Sequence, residues 1–203
     1  DLISQKLTEN QIHQSLIRLG KHRLADEFLN EIELVNKKYE KIFSEIEGKM
    51  EIGIGDKILD SIVEDVISHM KKLYNLPKPK NEIDFHKQIE PFLNGVASVM
   101  ETSLSKFGWN VSVTREYRFA SNERIDLLIS IGNIKIGIEV KYDLEETSKL
   151  QRLLGQIDRY IPYVDALVVI SYYPLTANAI STIKNKEIEK GKLIKILTPN
   201  KII

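Results

Sequence analysis

Arg124-Ile125-Asp126-Leu127-Leu128-Ile129-Ser130-Ile131-Gly132-Asn133-Ile134-Lys135-Ile136-Gly137-Ile138-Glu139-Val140-Lys141 says most about the architecture of this chain. It reads as two apolar strands joined by a turn at Gly132-Asn133. Asp126, Glu139 and Lys141 stand where a buried strand should be apolar. Strand side chains alternate between faces, so Glu139 and Lys141 share one face of the second strand. With a tight turn, about six residues on each side of it lie opposite each other, which brings Asp126 beside Glu139. Two carboxylates and one ammonium then form a patch at the edge of an apolar sheet. Such a patch suits a divalent cation with a lysine beside it. The backbone carbonyl of Val140 offers a third hard oxygen ligand.

Outward from this hairpin, the downstream chain alternates helix and strand. Residues 148–160 carry Leu150, Leu153 and Leu154 on a helix. Residues 166–170 form a short, wholly apolar strand of the kind buried on both faces. A helix over about 175–190 and a strand over 193–197 follow. Upstream, 109–119 alternates as a strand with Trp109, Val111 and Val113 on one side. A helix over about 82–106 precedes it, ended by Gly108, and Pro91 is expected to kink or restart that helix. The order α-β-β-β-α-β-α-β predicts an α/β fold, a mixed sheet flanked by helices.

Residues 1–76 read as an all-helical extension. Thr8 can cap a first helix that stops at Gly20. Leu24, Phe28, Ile32, Val35, Tyr39, Ile42 and Ile46 recur at three- and four-residue steps, the mark of a long amphipathic helix close to a heptad. Gly48, Gly53 and Gly55 break it, and Asp56 can cap the next helix. Pro77-Lys78-Pro79-Lys80 reads as a stiff linker over 77–81, followed by a core over 82–203.

The chain has 203 residues, 42% hydrophobic, enough to bury a core. Lys+Arg and Asp+Glu are both 29, so net charge is zero. A neutral total leaves room for a locally basic cleft. With no cysteine, thiolate metal sites and disulfides are excluded. No apolar run reaches the roughly 18 residues of a membrane span and no signal peptide is visible, so a cytoplasmic, intracellular protein with no membrane partner is expected. No Walker A sequence occurs, so no nucleotide cofactor is expected.

Phosphodiester hydrolysis needs charge neutralised on the phosphate and an activated water, and Mg2+ held by carboxylates supplies both, with Mn2+ as its substitute. Lys141 can orient or deprotonate the water, or stabilise developing negative charge. Asp126 followed by Glu139-Val140-Lys141 resembles the D-x(n)-E-x-K signature of the PD-(D/E)XK nuclease superfamily, with Ile125 in place of the frequent proline. Gln156-Ile157-Asp158-Arg159-Tyr160 resembles the Q-x-x-x-Y motif of its RecB-like members. The resemblance, which extends to archaeal Holliday-junction resolvases, covers about residues 82–197.

The resemblance implies a restriction-endonuclease-like core and a metal-dependent deoxyribonuclease. It implies catalytic roles for Asp126, Glu139 and Lys141, with Gln156 and Tyr160 facing the site from one side of a helix. It also implies an acid on the first core helix, where Glu82, Glu90 and Glu101 are candidates. Packed antiparallel to the next strand, that helix places Glu90 about 27 Å from Gly108 and level with Asp126, so Glu90 is preferred. Glu116 on the strand is the alternative. Arg115, Arg118 and Arg124 suit phosphate contacts or cross-strand ion pairs. Lys149 and Arg152 suit backbone contacts or a solvated helix face. His13, His22, His69 and His86 have no ligand spacing and read as surface or packing residues. Tyr172-Tyr173 reads as loop packing or a base-stacking surface. DNA is the expected partner, and the helical arm suggests a homodimer. Two other functions fit the same residues: a DNA-binding protein that cuts weakly or not at all, and an assembly protein acting through residues 1–76.

Overall fold

The computed structural model describes residues 9–47, 54–105, 108–119, 123–199 and 202–203. They belong to two compact units, one from the stretches Asp1–Glu51 and Ser98–Asn110, the other from Ile52–Ala97 and Val111–Ile203. Residues 54–81 group with the sheet in this division, and not with the first two helices.

In the first unit, helix α1 (Glu9–Arg18) packs on helix α2 (His22–Glu47). Gly20 ends α1 at φ 68, with Gly20 N–H on Ile17 O and Lys21 N–H on Leu16 O. That pair of bonds is the Schellman arrangement, which needs a left-handed residue and therefore favours glycine. Thr8, the expected cap, lies outside the described residues. Ala25, Ile32, Val35 and Tyr39 are the buried residues of α2. Leu24, expected to open that stripe, is 51% exposed. Ala25 takes the inward position because it lies seven residues, two helical turns, before Ile32.

In the second unit, helix α3 (Ile54–Met70) begins ahead of Asp56, which is therefore not its cap. Gly55 falls in the first turn, where the N–H groups lack intrahelical partners anyway. Gly48 and Gly53 lie outside the described residues. Helix α4 (Glu82–Leu104) runs through Pro91 without restarting. Pro91 and Lys87, whose carbonyl loses its partner, are both exposed, so water can take up the bond. The last turns of α4, with buried Met100 and Leu104, belong to the first unit.

Strands β1 (Val111–Arg118), β2 (Arg124–Ile131), β3 (Ile134–Lys141), β4 (Ala166–Ser171) and β5 (Leu193–Leu197) form one mixed sheet in that order. The first three are antiparallel, and β3–β4 and β4–β5 are parallel. Helices α5 (Thr147–Tyr160) and α6 (Ala177–Lys190) make the parallel crossovers. Their apolar residues Leu153, Ile157 and Ile183 join Leu128, Leu167, Val169 and Ile194 in one core cluster. Every residue of β4 is buried, as its unbroken apolar run requires, and α3 also packs against it. The Pro77–Lys80 segment is tied to the same unit: Tyr142 Oη donates to Pro79 O and Gln88 Nε2 donates to Pro77 O. No helix among the described residues is long and apolar enough to cross a membrane.

Candidate active site

The site begins at the hairpin. Gly132, at φ 57, takes the first turn position, where a positive φ matches the twist of the flanking strands. The β2–β3 register then runs from Ile131↔Ile134 to Leu127↔Ile138. The next residues along are Asp126 and Glu139. Here the backbone ladder gives way to a side chain: Asp126 Oδ2 accepts the Val140 N–H at 2.8 Å. Two residues after Glu139, Lys141 donates from Nζ to Glu139 Oε1 at 2.6 Å.

Glu139 is 1% exposed and, among the described residues, is the one buried side chain of a charged type, in a sheet rich in Ile, Leu and Val. Burial pushes its pKa up to about 7; the Asp126 carboxylate adds to the rise, while Lys141 and, more weakly, Gln156 oppose it. Burial dominates because an ion removed from water loses its hydration, and one ammonium restores only part of that loss. Among the described residues, neither Glu139 Oε2 nor the buried Gln156 Oε1 has a hydrogen-bond partner. Gln156 Nε2 donates to Tyr160 Oη at 3.4 Å, so the α5 motif residues meet each other beside Glu139. Burial also raises the Tyr160 pKa.

Asp126, Lys141, Gln156 and Tyr160 line one cavity of about 610 Å3. Helix α4 contributes Glu82, His86 and Glu90 to its wall. These are spaced by four residues and so lie on one helix face. Both candidate third acids are therefore at the cavity, and each holds an arginine: Glu90 Oε2 lies 3.1 Å from Arg115 Nη1, and Glu116 Oε2 lies 3.3 Å from Arg124 Nη1. A third pair, Glu123 Oε2 with Arg159 Nε at 3.0 Å, lines the same space. Arg152 also lines it and, among the described residues, has no such partner. Arg118 and Lys149 are not among the lining residues; Lys149 is held at 3.0 Å by both Asp143 and Glu146.

His86, read from sequence as a surface or packing residue, faces this cavity with Nε2 3.9 Å from Asp126 Oδ2. Arg159 and Glu123 also line the cavity, without a sequence motif that assigns them to it. The step of four from Glu82 through His86 to Glu90 was the available signal for His86. Arg159 lies inside the Q-x-x-x-Y stretch, but nothing local links it to Glu123. Tyr172 and Tyr173 pack against Tyr142 with ring centroids 5.5 and 5.3 Å away, and Lys78 Nζ lies 5.6 Å from the Tyr173 ring.

Asp126 and Glu139 are hard oxygen donors. Among the described residues no three His, Asp or Glu side chains form a ready metal cage. Mg2+ does not require one, since it commonly binds through one or two carboxylates and completes its shell with water and substrate phosphates. The Oε2 of Glu139, without a partner among the described residues, and its repulsion by the Asp126 carboxylate fit a divalent cation, which Asp126 and Glu139 would hold.

No family model and no curated protein matches the chain. Solved structures similar to it include Pyrococcus furiosus SfsA in complex with Ca2+, at 20% identity and a TM-score of 0.30, over 57% of this chain and 62% of that one. Another is protein VC1899 from Vibrio cholerae, at 14% identity and a TM-score of 0.32, over 98% of this chain and 54% of that one. This chain thus spans less than two thirds of the length of either.

Proposed function

We propose that this protein is a divalent-metal-dependent nuclease of the PD-(D/E)XK type that hydrolyses phosphodiester bonds in DNA. The observation that carries this reading is Glu139: a carboxylate buried in an apolar strand, bonded to Lys141 through Oε1 and, among the described residues, left without a partner at Oε2. A buried acid satisfied at only one oxygen costs stability, and strongly perturbed groups concentrate where chemistry is done. The strand order and the α5 motif beside Glu139 support the same family core.

In this reading Asp126 and Glu139 would hold the ion, with the Val140 carbonyl as a further candidate ligand. When bound, Mg2+ would neutralise phosphate charge and lower the pKa of a water. Lys141 Nζ orients the attacking water or stabilises negative charge developing at phosphorus. Arg152 contacts a flanking phosphate, and Gln156 holds Tyr160 in the wall of the cavity. The N-terminal helical arm, through α2, provides a homodimer surface. A second reading, a DNA-binding or assembly protein that cuts weakly or not at all, is favoured by one observation: among the described residues no three His, Asp or Glu side chains form a ready metal cage.

The test is incubation with Mg2+ or Mn2+ and labelled single-stranded, duplex, flapped and four-way-junction DNA, alongside EDTA and Glu139→Ala controls. Cleavage that needs metal and disappears in the variant supports the nuclease. Binding without cleavage on every substrate supports the second reading.

A further inference from the structure

Asp126 is the one residue of β2 that, among the described residues, belongs to neither neighbouring ladder. On the β3 side the ladder ends at Leu127↔Ile138. On the β1 side the break is internal. Arg115 pairs with Leu127, then Tyr117 with Ile125 and Arg118 with Arg124, all in one register. That register sets Glu116 opposite Asp126, yet the two do not pair. A bulge is not the cause, because an inserted residue would shift the register beyond it. The cause lies in the backbone of Glu116, which stands at φ 48 and is the one non-glycine residue with positive φ among those described. Left-handed backbone is disfavoured for a residue with a Cβ and persists only where its surroundings impose it.

We propose that Glu116 is a positioning residue whose left-handed backbone, and not its carboxylate, opens the sheet at Asp126 and aims the Asp126 carboxylate into the site. Released from both ladders, Asp126 turns its side chain to the Val140 N–H, at 2.8 Å, and so comes to rest beside Glu139. With Glu116 in ordinary strand conformation, the Glu116–Asp126 pair would close and the Asp126 side chain would stand perpendicular to the sheet. The Glu116 carboxylate is half-exposed and, among the described residues, paired only with half-exposed Arg124. Exposed ion pairs of this kind contribute little.

The consequence for catalysis rests on the nuclease reading, but the geometry is tested separately. Glycine accepts left-handed backbone freely and asparagine does so more readily than most residues; alanine resists it and valine resists it strongly. Glu116→Gly, Glu116→Asn, Glu116→Ala and Glu116→Val would be compared by the Val140 amide resonance, with Asp126→Ala marking its position when the bond is lost. The Gly and Asn variants are expected to keep the wild-type resonance. The Val variant is expected to move the resonance toward that of Asp126→Ala and to lower kcat about 100-fold, with KM little changed. The Ala variant, whose Cβ meets the same left-handed penalty as that of glutamate, should match wild type, and it isolates the carboxylate if the Val variant fails to fold. Gly as damaging as Val, Val leaving the resonance in place, or Ala moving it to the Asp126→Ala position would overturn the proposal. If the wild-type protein cuts no DNA, the resonances still decide the role of Glu116 while the nuclease reading fails.

Discussion

Lys141 Nζ and Glu139 Oε1 lie 2.6 Å apart on one face of β3, yet this ion pair does not compensate the burial of Glu139, whose pKa stands at about 7 against an ordinary 4.5. A carboxylate with a raised folded-state pKa is protonated in both states below pH 4.5, where it carries no penalty. The folded protein then loses stability as pH rises through 7, by about 3 kcal/mol from this group alone. Thermal unfolding of metal-free wild type and Glu139→Gln from pH 4 to 8 measures it. The wild type should lose ground steadily against the amide variant, and a constant difference between them would sink the assignment.

Divalent metal should reverse that loss. Mg2+ or Mn2+ at 100 times its Kd stabilises a folded state by about 2.7 kcal/mol. Because the ligand form of Glu139 is the anion, the metal-induced rise in Tm should be larger at pH 8 than at pH 6. Asp126→Asn and Glu139→Gln should each abolish most of it. An equal rise in those variants would place the ion elsewhere.

Two cations near the start of α5 should behave differently towards DNA. Among the described residues Arg152 lines the cavity without an acidic partner, whereas Lys149 is held by Asp143 and Glu146. Arg152→Ala is expected to weaken DNA binding and to reduce the salt slope by about 1 on a log–log plot, with Lys149→Ala close to neutral. Affinity titrations in Ca2+ at several salt concentrations compare them, and equal slopes for both variants would contradict the assignment.

Gly137 is where β3 approaches its neighbours too closely for a side chain. A Cβ there would stand 2.5 Å from Ile125 Cδ1, 3.1 Å from Leu167 Cδ1 and 3.3 Å from Val164 Cγ1. Gly137→Ala should therefore destabilise by about 1–3 kcal/mol despite the better strand propensity of alanine. Because Ile125 precedes Asp126, the displaced side chain should also disturb the site. Urea unfolding tests the first effect; unchanged stability would mean that Ile125 turns aside without cost.

What the amino-acid sequence by itself determined is local. The alternation around Gly132-Asn133 implies the hairpin, its register and the meeting of Asp126 with Glu139, because strand period and a two-residue turn act over a few residues. The α5 spacing sets Gln156 and Tyr160 on one face for the same reason. Pro91 and Leu24 show the limit of that local signal: an exposed helix face absorbs a proline, and which face of α2 is buried depends on what packs against it. The tertiary structure decided the rest of the site. Packing α4 against the sheet unit brought His86 to Asp126 and Glu90 to Arg115, contacts spanning 40 and 25 residues. The left-handed backbone at Glu116 opened the β1 ladder at Asp126. Burial, a property of the assembled core and not of any motif, raised the pKa of Glu139.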